Sequence, residues 1–311
     1  MYKVIFILIF SVFLLGTNNI YAQDIKFNRV LENALGQITD AKQDKQGYIW
    51  IGTFNQGLQR YDGVKLKSFV NDPRNTNSMA SGMILNLCVD TNNIIWMGMI
   101  GSGLEKFDPA TNTFTHYRHN PKIASSISSD TVLYILEDNL GELWIATFNG
   151  LDKYDKKTGG FIHYKTKGND PASIGPGSAF RIYQDKKGML WISTGILNTG
   201  KIPTDCILNR YDRPIGKFTR YKNDPTNPNS NPGSLVTDIY EDRKGNFWLI
   251  EITPESGLYQ MDRSTGNFTR FYADAANPVP LSNTPPAVKT AFWMNFIRED
   301  VTGALWLAMG N

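Results

Sequence analysis

The sequence contains little cysteine and histidine, with 2 Cys and 3 His among 311 residues. A disulfide framework needs several cysteine pairs, and a structural zinc site needs four closely spaced Cys or His ligands, so neither is indicated. Cys88 lies in the alternating apolar run 84–89, which predicts a small core residue. A disulfide between Cys88 and Cys206 is the alternative if the protein is exported. We expect no metal site and no cofactor.

The sequence also lacks an excess of charge of either sign. Lys and Arg total 32 and Asp and Glu total 29, which gives a net charge of +3. Proteins that bind nucleic acids concentrate positive charge, so this balance does not indicate a DNA or RNA partner. Hydrophobic residues make up 41% of the chain and charged residues 20%. That composition excludes a disordered chain and supplies material for a sizeable core.

Long apolar runs are missing except near the N-terminus. Residues 4–15 form an apolar run of 12 residues that follows Lys3. The run is shorter than a membrane-spanning helix and has a positive charge before it, which is typical of a secretory signal peptide. We predict a signal peptide over residues 1–22, with cleavage after Ala22 and export to the periplasm. A membrane anchor is expected only from sequence that would follow residue 311.

The most informative feature of the sequence is a repeat built on tryptophan. Six Trp residues recur at intervals of 46 to 58 residues, and an Asp precedes each one by six positions. Three residues after each Asp stands a Gly, or Asn93 in the second unit. Asp accepts a hydrogen bond from the backbone two residues on, and Gly or Asn tolerates positive φ, so each unit predicts a hairpin turn. The Asp and Trp pairs are Asp44 and Trp50, Asp90 and Trp96, Asp138 and Trp144, Asp185 and Trp191, Asp242 and Trp248, and Asp300 and Trp306.

Each repeat contains four short segments of alternating apolar residues. The first ends at the turn Asp, the second holds the Trp, the third ends in Tyr-Asp in most units, and the fourth has the pattern Phe-x-x-Tyr. Four short antiparallel strands in a repeat of this length are typical of a β-propeller blade. We predict an all-β propeller over residues 23–311, with five complete blades and half of a sixth. Residues 27–30 are expected to complete another blade at ring closure.

The pattern Asp-x-x-Gly-x-Ile-Trp-Ile-Gly-Thr, followed by Gly-Leu-x-Arg-Tyr-Asp, resembles the two-component regulator propeller repeat over about residues 27–311. The resemblance implies the periplasmic sensor region of a hybrid two-component system or sensor histidine kinase, with a ring that often has seven blades. It also implies that this chain is an N-terminal fragment, truncated within its last blade. The kinase, the inner-membrane anchor and homodimerisation would belong to the full-length parent.

Loop lengths place the variation between repeats on one face of the predicted propeller. Turns from the first to second and third to fourth strands are nearly constant in length, whereas the other two connections vary. Variable loops on a rigid scaffold are common binding sites. On this face Phe54, Asn55 and Gln56 occupy the same slot as Phe148 and Asn149. An aromatic ring beside amide groups suits an oligosaccharide. Alternatively, the amides shape the hairpin and each Phe packs on a neighbouring blade.

Two further features of the repeats are candidate sites. An insertion over 193–205 lies on the variable face, where Lys201 would reach over the mouth of the propeller to contact a ligand; an ordinary surface excursion is the alternative. His116 and His163 occupy the fourth-strand position that Arg220 holds in a later unit, which predicts solvated side chains. No residue therefore qualifies as catalytic.

These observations favour a non-enzymatic sensor propeller that detects a glycan or oligosaccharide fragment. One alternative is a propeller lyase of the streptogramin-lyase type, which places a Glu and a His at the channel with magnesium. Only His119 falls near the corresponding face in this sequence. The other alternative is a scaffold propeller that binds another protein. Fold alone does not decide among these functions.

Overall fold

The computed structural model describes residues 36–196, 204–252, 257–271 and 293–310. Across these ranges the regular structure consists of β-strands, and no helix capable of crossing a membrane was found in them. The strands form five four-stranded antiparallel sheets and one two-stranded sheet, each built from consecutive strands. The predicted all-β architecture of four-stranded propeller blades is confirmed.

Blades are numbered here in chain order. Blades 1 to 3 contain β1 (Ile38–Gln43), β2 (Ile49–Thr53), β3 (Leu58–Tyr61), β4 (Leu66–Phe69), β5 (Met83–Val89), β6 (Ile95–Ile100), β7 (Leu104–Asp108), β8 (Thr113–Tyr117), β9 (Val132–Glu137), β10 (Leu143–Thr147), β11 (Gly150–Asp155) and β12 (Gly160–Tyr164). Blades 4 to 6 contain β13 (Ser178–Gln184), β14 (Leu190–Ile196), β15 (Thr204–Asp212), β16 (Lys217–Tyr221), β17 (Leu235–Glu241), β18 (Phe247–Ile252), β19 (Gly257–Asp262), β20 (Asn267–Phe271), β21 (Trp293–Glu299) and β22 (Leu305–Gly310).

The constant spacing of Asp and Trp follows from one hydrogen-bonding pattern at the end of every first strand. In blade 3, Oδ1 of Asp138 accepts the N–H groups of Leu140 and Glu142, both at 2.9 Å. Its Oδ2 accepts the indole N–H of Trp144 at 2.7 Å. The same Asp–Trp bond occurs in all six blades at 2.7 to 3.0 Å. The predicted turn is confirmed, and the indole bond explains the interval of six residues.

Asn93 shows why the second repeat tolerates a residue other than glycine. Its φ is 64°, in the region that the other turns reach with glycine. Asn adopts this conformation at lower cost than other side chains, so the hairpin keeps its geometry. The prediction that Asn93 adopts positive φ in place of glycine is confirmed.

The core lies between successive blades. Trp144 of blade 3 packs against Tyr164 of its own blade and Tyr211 of blade 4, with ring centroids 5.3 and 5.5 Å apart. Equivalent Trp residues of blades 1, 2, 4 and 5 are also buried. Such aromatic contacts bury large areas and favour tilted or edge-on geometry. Trp306 of the two-stranded sixth blade is 44% exposed, and within the described residues no further blade packs beyond it.

First strands of neighbouring blades contact one another in order, from β1 to β21, and they therefore line the axis of the propeller. No hydrogen-bonded sheet among the described strands joins β21 and β22 to blade 1, so the ring is not closed there. The predicted signal peptide (1–22) and closing strand (27–30) lie outside the described residues.

The structure also shows the surroundings of the two cysteines and of the insertion over 193–205. Cys88 and Cys206 are both buried and do not form a disulfide, and burial raises the pKa of the Cys88 thiol to about 12. Both ends of the insertion over 193–205 are paired strand, because β14 continues to Ile196 and β15 begins at Thr204, with a register irregularity between Thr194 and Ile196.

Candidate functional site

Every first strand contains a register irregularity at the same place. In blade 1 it lies between Ile38 and Asp40, and the other five blades repeat it at equivalent positions. A β-bulge leaves one residue outside the ladder and re-aims the neighbouring side chain. The residue that follows the extra one stands four positions before the turn Asp in each blade. These six positions hold Asp40, Asn86, Tyr134, Arg181, Asp238 and Phe296.

A cavity of about 380 Å³ lies among the six first strands. This size is at the lower end of the range of about 300–1,000 Å³ that is usual for small-molecule sites. All six blades contribute to its lining, which combines charged, amide and aromatic side chains. We call this cavity the channel site, and the lining residues used below are Asp40, Lys42, Asn86, Tyr134, Arg181, Phe296 and Arg298.

Asp40 anchors the side of the channel site formed by blades 1 and 2. Its Oδ1 accepts the ammonium of Lys42 at 2.7 Å and the N–H of the next residue at 2.8 Å. Its Oδ2 accepts Nδ2 of Asn86 at 2.7 Å and the N–H of Leu87 at 2.9 Å. Asn86 continues the chain of contacts, because its Oδ1 accepts the N–H of Ile135 in blade 3 at 2.9 Å. Each side chain thus satisfies an N–H beside the bulge of the following blade.

Asp238 joins blades 4, 5 and 6 in a similar way. Its Oδ1 accepts the guanidinium of Arg181 at 2.5 Å and the N–H of the next residue at 3.0 Å. Its Oδ2 accepts the N–H of Ile297 at 3.1 Å and Nη1 of Arg298 at 2.7 Å. Arg181 also lies 4.0 Å above the ring centroid of Tyr134, which connects blade 4 to blade 3. Both carboxylates are therefore surrounded by donors.

The exposed groups of the channel site are mainly cationic. The side chains of Lys42 and Arg298 are 39% and 51% exposed, whereas those of Asp40 and Asp238 are 17% and 2% exposed. Together with Arg181, these residues carry three positive and two negative charges. Because the carboxylates are covered by their own partners, a molecule that enters the cavity meets donors before acceptors.

The structure places the predicted ligand residues at the ends of second strands, apart from the lining of the channel site. Phe54 follows β2 and Phe148 follows β10, and their side chains are 42% and 46% exposed. Each of these two residues is therefore partly open to solvent and partly covered by the protein. Ile100, at the same place in blade 2, is 41% exposed.

Amide groups beside these rings contribute to loop structure. Nδ2 of Asn149 donates to the carbonyl of Ser128 at 3.1 Å. Oε1 of Gln56 accepts the N–H of Gly36 at 2.9 Å and Nε2 of Gln59 at 3.2 Å. These bonds join each second-to-third hairpin to the segment that leads into a first strand. Asn55 is exposed at the tip of its hairpin. Lys201 lies outside the described residues.

His116 is exposed, as predicted, whereas His163 is half-buried. Each ring also bonds to a buried carboxylate, which the sequence did not predict. Nδ1 of His163 lies 2.6 Å from Oδ1 of Asp152, whose side chain is fully buried, and Nε2 lies 2.9 Å from the carbonyl of Ala124. The bond to Asp152 raises the pKa of His163, against the opposing effect of burial. His116 makes the equivalent contact with buried Glu105 at 2.7 Å, and burial raises the pKa of that carboxyl.

Each histidine ties its fourth strand to the loop that leads into the same blade, through the carbonyl of Thr76 for His116 and that of Ala124 for His163. In blade 4 the same position is Arg220, which donates to the carbonyls of Ser173 and Ile174, both at 2.8 Å. Histidine therefore replaces a permanent cation with a titratable one. Since both ring nitrogens of His163 have partners, neither is available to take a proton from a substrate.

Acidic residues at the tight turns make structural contacts. Turn carboxylates such as Asp62 accept neighbouring backbone N–H groups, in this case those of Val64 and Lys65. Among the residues that the structure describes, no cluster of three or more His, Cys, Asp or Glu side chains has the geometry to hold a metal ion.

Sequence reasoning missed the channel site. The available signal was the position four residues before each turn Asp, which changes from carboxylate to amide, phenol, guanidinium and phenyl between units. The bulge that directs this side chain to the axis leaves no mark in the apolar alternation. Without knowledge of the bulge, this position looks like any other residue of a first strand.

Two segments of the chain, 34–55 and 126–149, match the family described as Two component regulator propeller. Each segment contains the turn Asp and Trp of a repeat, in blade 1 and in blade 3. A comparison with curated protein sequences finds no match.

Solved structures share the fold at low sequence identity. The extracellular domain of the hybrid two component system BT3049 from B. thetaiotaomicron is 20% identical with a TM-score of 0.62, over 89% of this chain and 39% of that one. PorZ of Porphyromonas gingivalis is 15% identical with a TM-score of 0.62, over 91% of this chain and 40% of that one. The β-propeller domain of Cps50 (Swd1) from Myceliophteria thermophila is 13% identical with a TM-score of 0.52, over 84% and 76%.

These similarities establish a propeller fold, and the chain spans about two fifths of the length of the first two structures. Similarity of fold at such low sequence identity does not indicate a shared function. The family match falls on two of the repeats. The matched segments contain the same Asp and Trp register that the structure shows in six blades. Two of the six Asp and Trp repeats, those of blades 1 and 3, therefore match the two component regulator propeller family.

Proposed function

We propose that this chain is the ligand-sensing propeller of an exported two-component regulator and that its ligand is a glycan fragment. The observation that carries the proposal is the family match, which falls on repeats whose fold resembles the extracellular domain of a hybrid two component system. The signal peptide predicted over 1–22 supports export to the periplasm. Phosphotransfer would belong to other parts of such a regulator, so a non-catalytic role fits this chain.

Exposed aromatic rings on rigid hairpins support a glycan as the ligand. The N–H of Phe54 donates to the carbonyl of Gln37 at 2.9 Å, and that of Phe148 donates to the carbonyl of Thr131 at 3.1 Å. Both backbones are therefore held while both rings face solvent. A sugar presents a C–H face that stacks on such a ring and hydroxyls that bond to amides such as Asn55.

A thermal-shift screen of neutral and acidic oligosaccharides tests this proposal. A ligand that binds only the folded state at 100 times its dissociation constant stabilises it by about 2.7 kcal/mol and raises the melting temperature. We expect Phe54→Ala with Phe148→Ala to reduce the shift. Val64→Ala is the matched control, because Val64 is 81% exposed in a third-to-fourth turn on the other face. Equal shifts in the parent and the double variant would remove these rings from the ligand site.

A protein-binding scaffold is the second candidate function. Four exposed apolar residues lie at the ends of the second strands of blades 1 to 4 or directly after them, and each is 41% to 47% exposed: Phe54, Ile100, Phe148 and Ile196. Exposed apolar groups on one rim are common in protein interfaces. PorZ is described as an essential bacterial surface component of a secretion system. Self-association in light scattering without any sugar, lost on Phe148→Ser, would favour this candidate.

The lyase alternative depends on His119, which has another contact. Nδ1 of His119 lies 2.8 Å from the carbonyl of Ile127, and the side chain lies in the loop after β8, apart from the lining of the channel site. No observation favours this candidate over the sensor.

A further inference from the structure

We infer that the channel site binds the carboxylate of a small acidic ligand, and that the ligand class is a sugar acid such as a hexuronate. This inference deepens the proposed sensing function and rests on it for the choice of a sugar. The anion site itself rests only on the geometry of the six bulged strands. It lies at a different place from the exposed phenylalanines.

The channel site has spare donors and no spare carboxylate acceptors. Each oxygen of Asp40 and Asp238 already accepts two hydrogen bonds. Lys42 has three N–H donors, and one of them donates to Asp40. Arg298 has five N–H donors, and its contacts within the described residues are made by Nη1, to Asp238 and to the carbonyl of Ile297. Donors without partners favour a ligand that supplies oxygen acceptors.

The net charge of the site favours an anion. Lys42, Arg181 and Arg298 outnumber Asp40 and Asp238 by one positive charge. A ligand with one negative charge neutralises this lining, whereas a cation would meet the exposed ends of Lys42 and Arg298. Hydrogen bonds from charged donors to a carboxylate are also stronger than those from neutral groups.

Buried carboxylates hold the donors in place before a ligand arrives. Asp238, with 2% of its side chain exposed, fixes one nitrogen of Arg298 and leaves the rest of the guanidinium open. Asp40 does the same for Lys42, at 2.7 Å. Pre-positioned groups lose less conformational freedom when they bind, so they raise affinity.

An aromatic surface beside the cations explains the choice of a sugar acid over a simple carboxylate. The guanidinium carbon of Arg298 lies 5.8 Å from the ring centroid of Phe296, and 45% of the Phe296 side chain is exposed. A pyranose ring can stack on this face while its carboxylate bonds to Arg298. The cavity of about 380 Å³ suits a small molecule of this kind.

Titration calorimetry of the purified chain with D-glucuronate, D-glucose and acetate tests the inference. We expect glucuronate to bind, glucose to bind more weakly, and the affinity for glucuronate to fall with added salt. Arg298→Gln and Lys42→Gln should each weaken glucuronate binding about tenfold or more, as expected for loss of a charged hydrogen bond. Arg74→Gln is the matched control, because Arg74 is 92% exposed outside the cavity, and it should leave the affinity unchanged.

The outcomes separate this inference from the proposed function. If glucose or neutral oligosaccharides bind as well as glucuronate, and folded Arg298→Gln and Lys42→Gln bind as the parent does, the anion site is overturned while glycan sensing stands. If acetate and glucuronate bind equally and both are lost in the two variants, the anion site stands and its specificity for a sugar is overturned. If no ligand binds the folded parent, the anion site is overturned. Circular dichroism of each variant verifies folding, and either variant alone suffices if the other does not fold.

Discussion

At the residue scale, each turn aspartate holds a backbone turn and an indole ring together. Asp138 makes a further contact, because Arg213 of blade 4 also donates to its Oδ2 at 2.6 Å. Burial by itself raises the pKa of Asp138, but the bonds from Arg213 and Trp144 outweigh it and leave the pKa below its usual value. The carboxylate therefore stabilises its own turn and the junction between two blades.

Replacing Asp138 with alanine should lower the free energy of unfolding by about 3 kcal/mol, because buried donors and a buried arginine lose their acceptor. The measurement is urea unfolding followed by tryptophan fluorescence. Asp155→Ala is the control, since Asp155 caps an exposed turn through Lys157 and Thr158. We expect that variant to lose much less stability than Asp138→Ala, because the partners of Asp155 can bond to water instead. Equal losses would contradict the account of the Asp–Trp pair.

Residue spacing alone predicted these turns and the bond from the backbone two residues on, but not the bonds from the indole and from the next blade. Asp, Gly and Trp are constrained by local geometry, which repeats along the chain and is therefore visible in sequence. The partner of Asp138 in blade 4 lies 75 residues away. Its contact depends on how blades stack, and no local pattern reports that.

At the element scale, the first strands connect neighbouring blades through their bulges. Asn86 both donates to Asp40 of blade 1 and accepts from Ile135 of blade 3. Its side chain is buried, so neither partner can turn to water instead.

The substitution Asn86→Leu should lower the free energy of unfolding by about 2–3 kcal/mol, because it leaves a carboxylate oxygen and a backbone N–H without this partner. Asn92→Leu makes the same chemical change at an exposed turn position of the same blade and should alter stability by less than about 0.5 kcal/mol. Chemical unfolding of the two variants in parallel gives the comparison. A loss at Asn92 as large as that at Asn86 would argue against the bulge contacts as blade connectors.

On the fourth strand of blade 3, His163 makes a contact whose contribution to stability depends on pH. Its raised pKa means that the folded state holds the proton more tightly than the unfolded state does. The stabilisation is therefore complete below the unfolded pKa of about 6.5 and is lost as pH rises through the folded value. Asp152 and the carbonyl of Ala124 favour the charged ring, and Lys165 opposes it.

A series of unfolding midpoints from about pH 5.5 to pH 9 tests this tie, because it brackets the usual titration range of histidine. The difference in stability between His163→Arg and the parent should grow in favour of the variant as pH rises, since arginine stays charged as Arg220 does in blade 4. His119→Gln serves as the control for removing a histidine elsewhere in the same region. Parallel profiles for the parent and His163→Arg would contradict a charged His163.

At the scale of the whole molecule, the repeat determines the architecture and the departures from it create the sites. Blade number, strand order and hairpin geometry were predictable because every repeat carries the same turn residues. The channel site was not predictable, because it forms from one non-repeating residue per blade, brought together by bulges that only the structure reveals. The repeat pattern also did not predict that β14 and β15 continue as paired strands into the insertion over 193–205.

The two candidate binding regions differ in the kind of contact that they offer a ligand. Phe54 and Phe148 offer uncharged stacking surfaces at a rim, while Lys42 and Arg298 offer charged donors along the axis. An acidic oligosaccharide is the class of molecule that uses both kinds of surface. Calorimetry with the Arg298→Gln and Phe54→Ala variants measures each contribution separately.

A crystal structure of the chain with a bound hexuronate tests the central claim, ligand sensing through this propeller, most directly. The account predicts the sugar among the first strands, with its carboxylate about 3 Å from nitrogen atoms of Arg298 and Lys42. A site that is empty at saturating ligand, or a sugar held only outside the channel with these side chains unchanged, would contradict it.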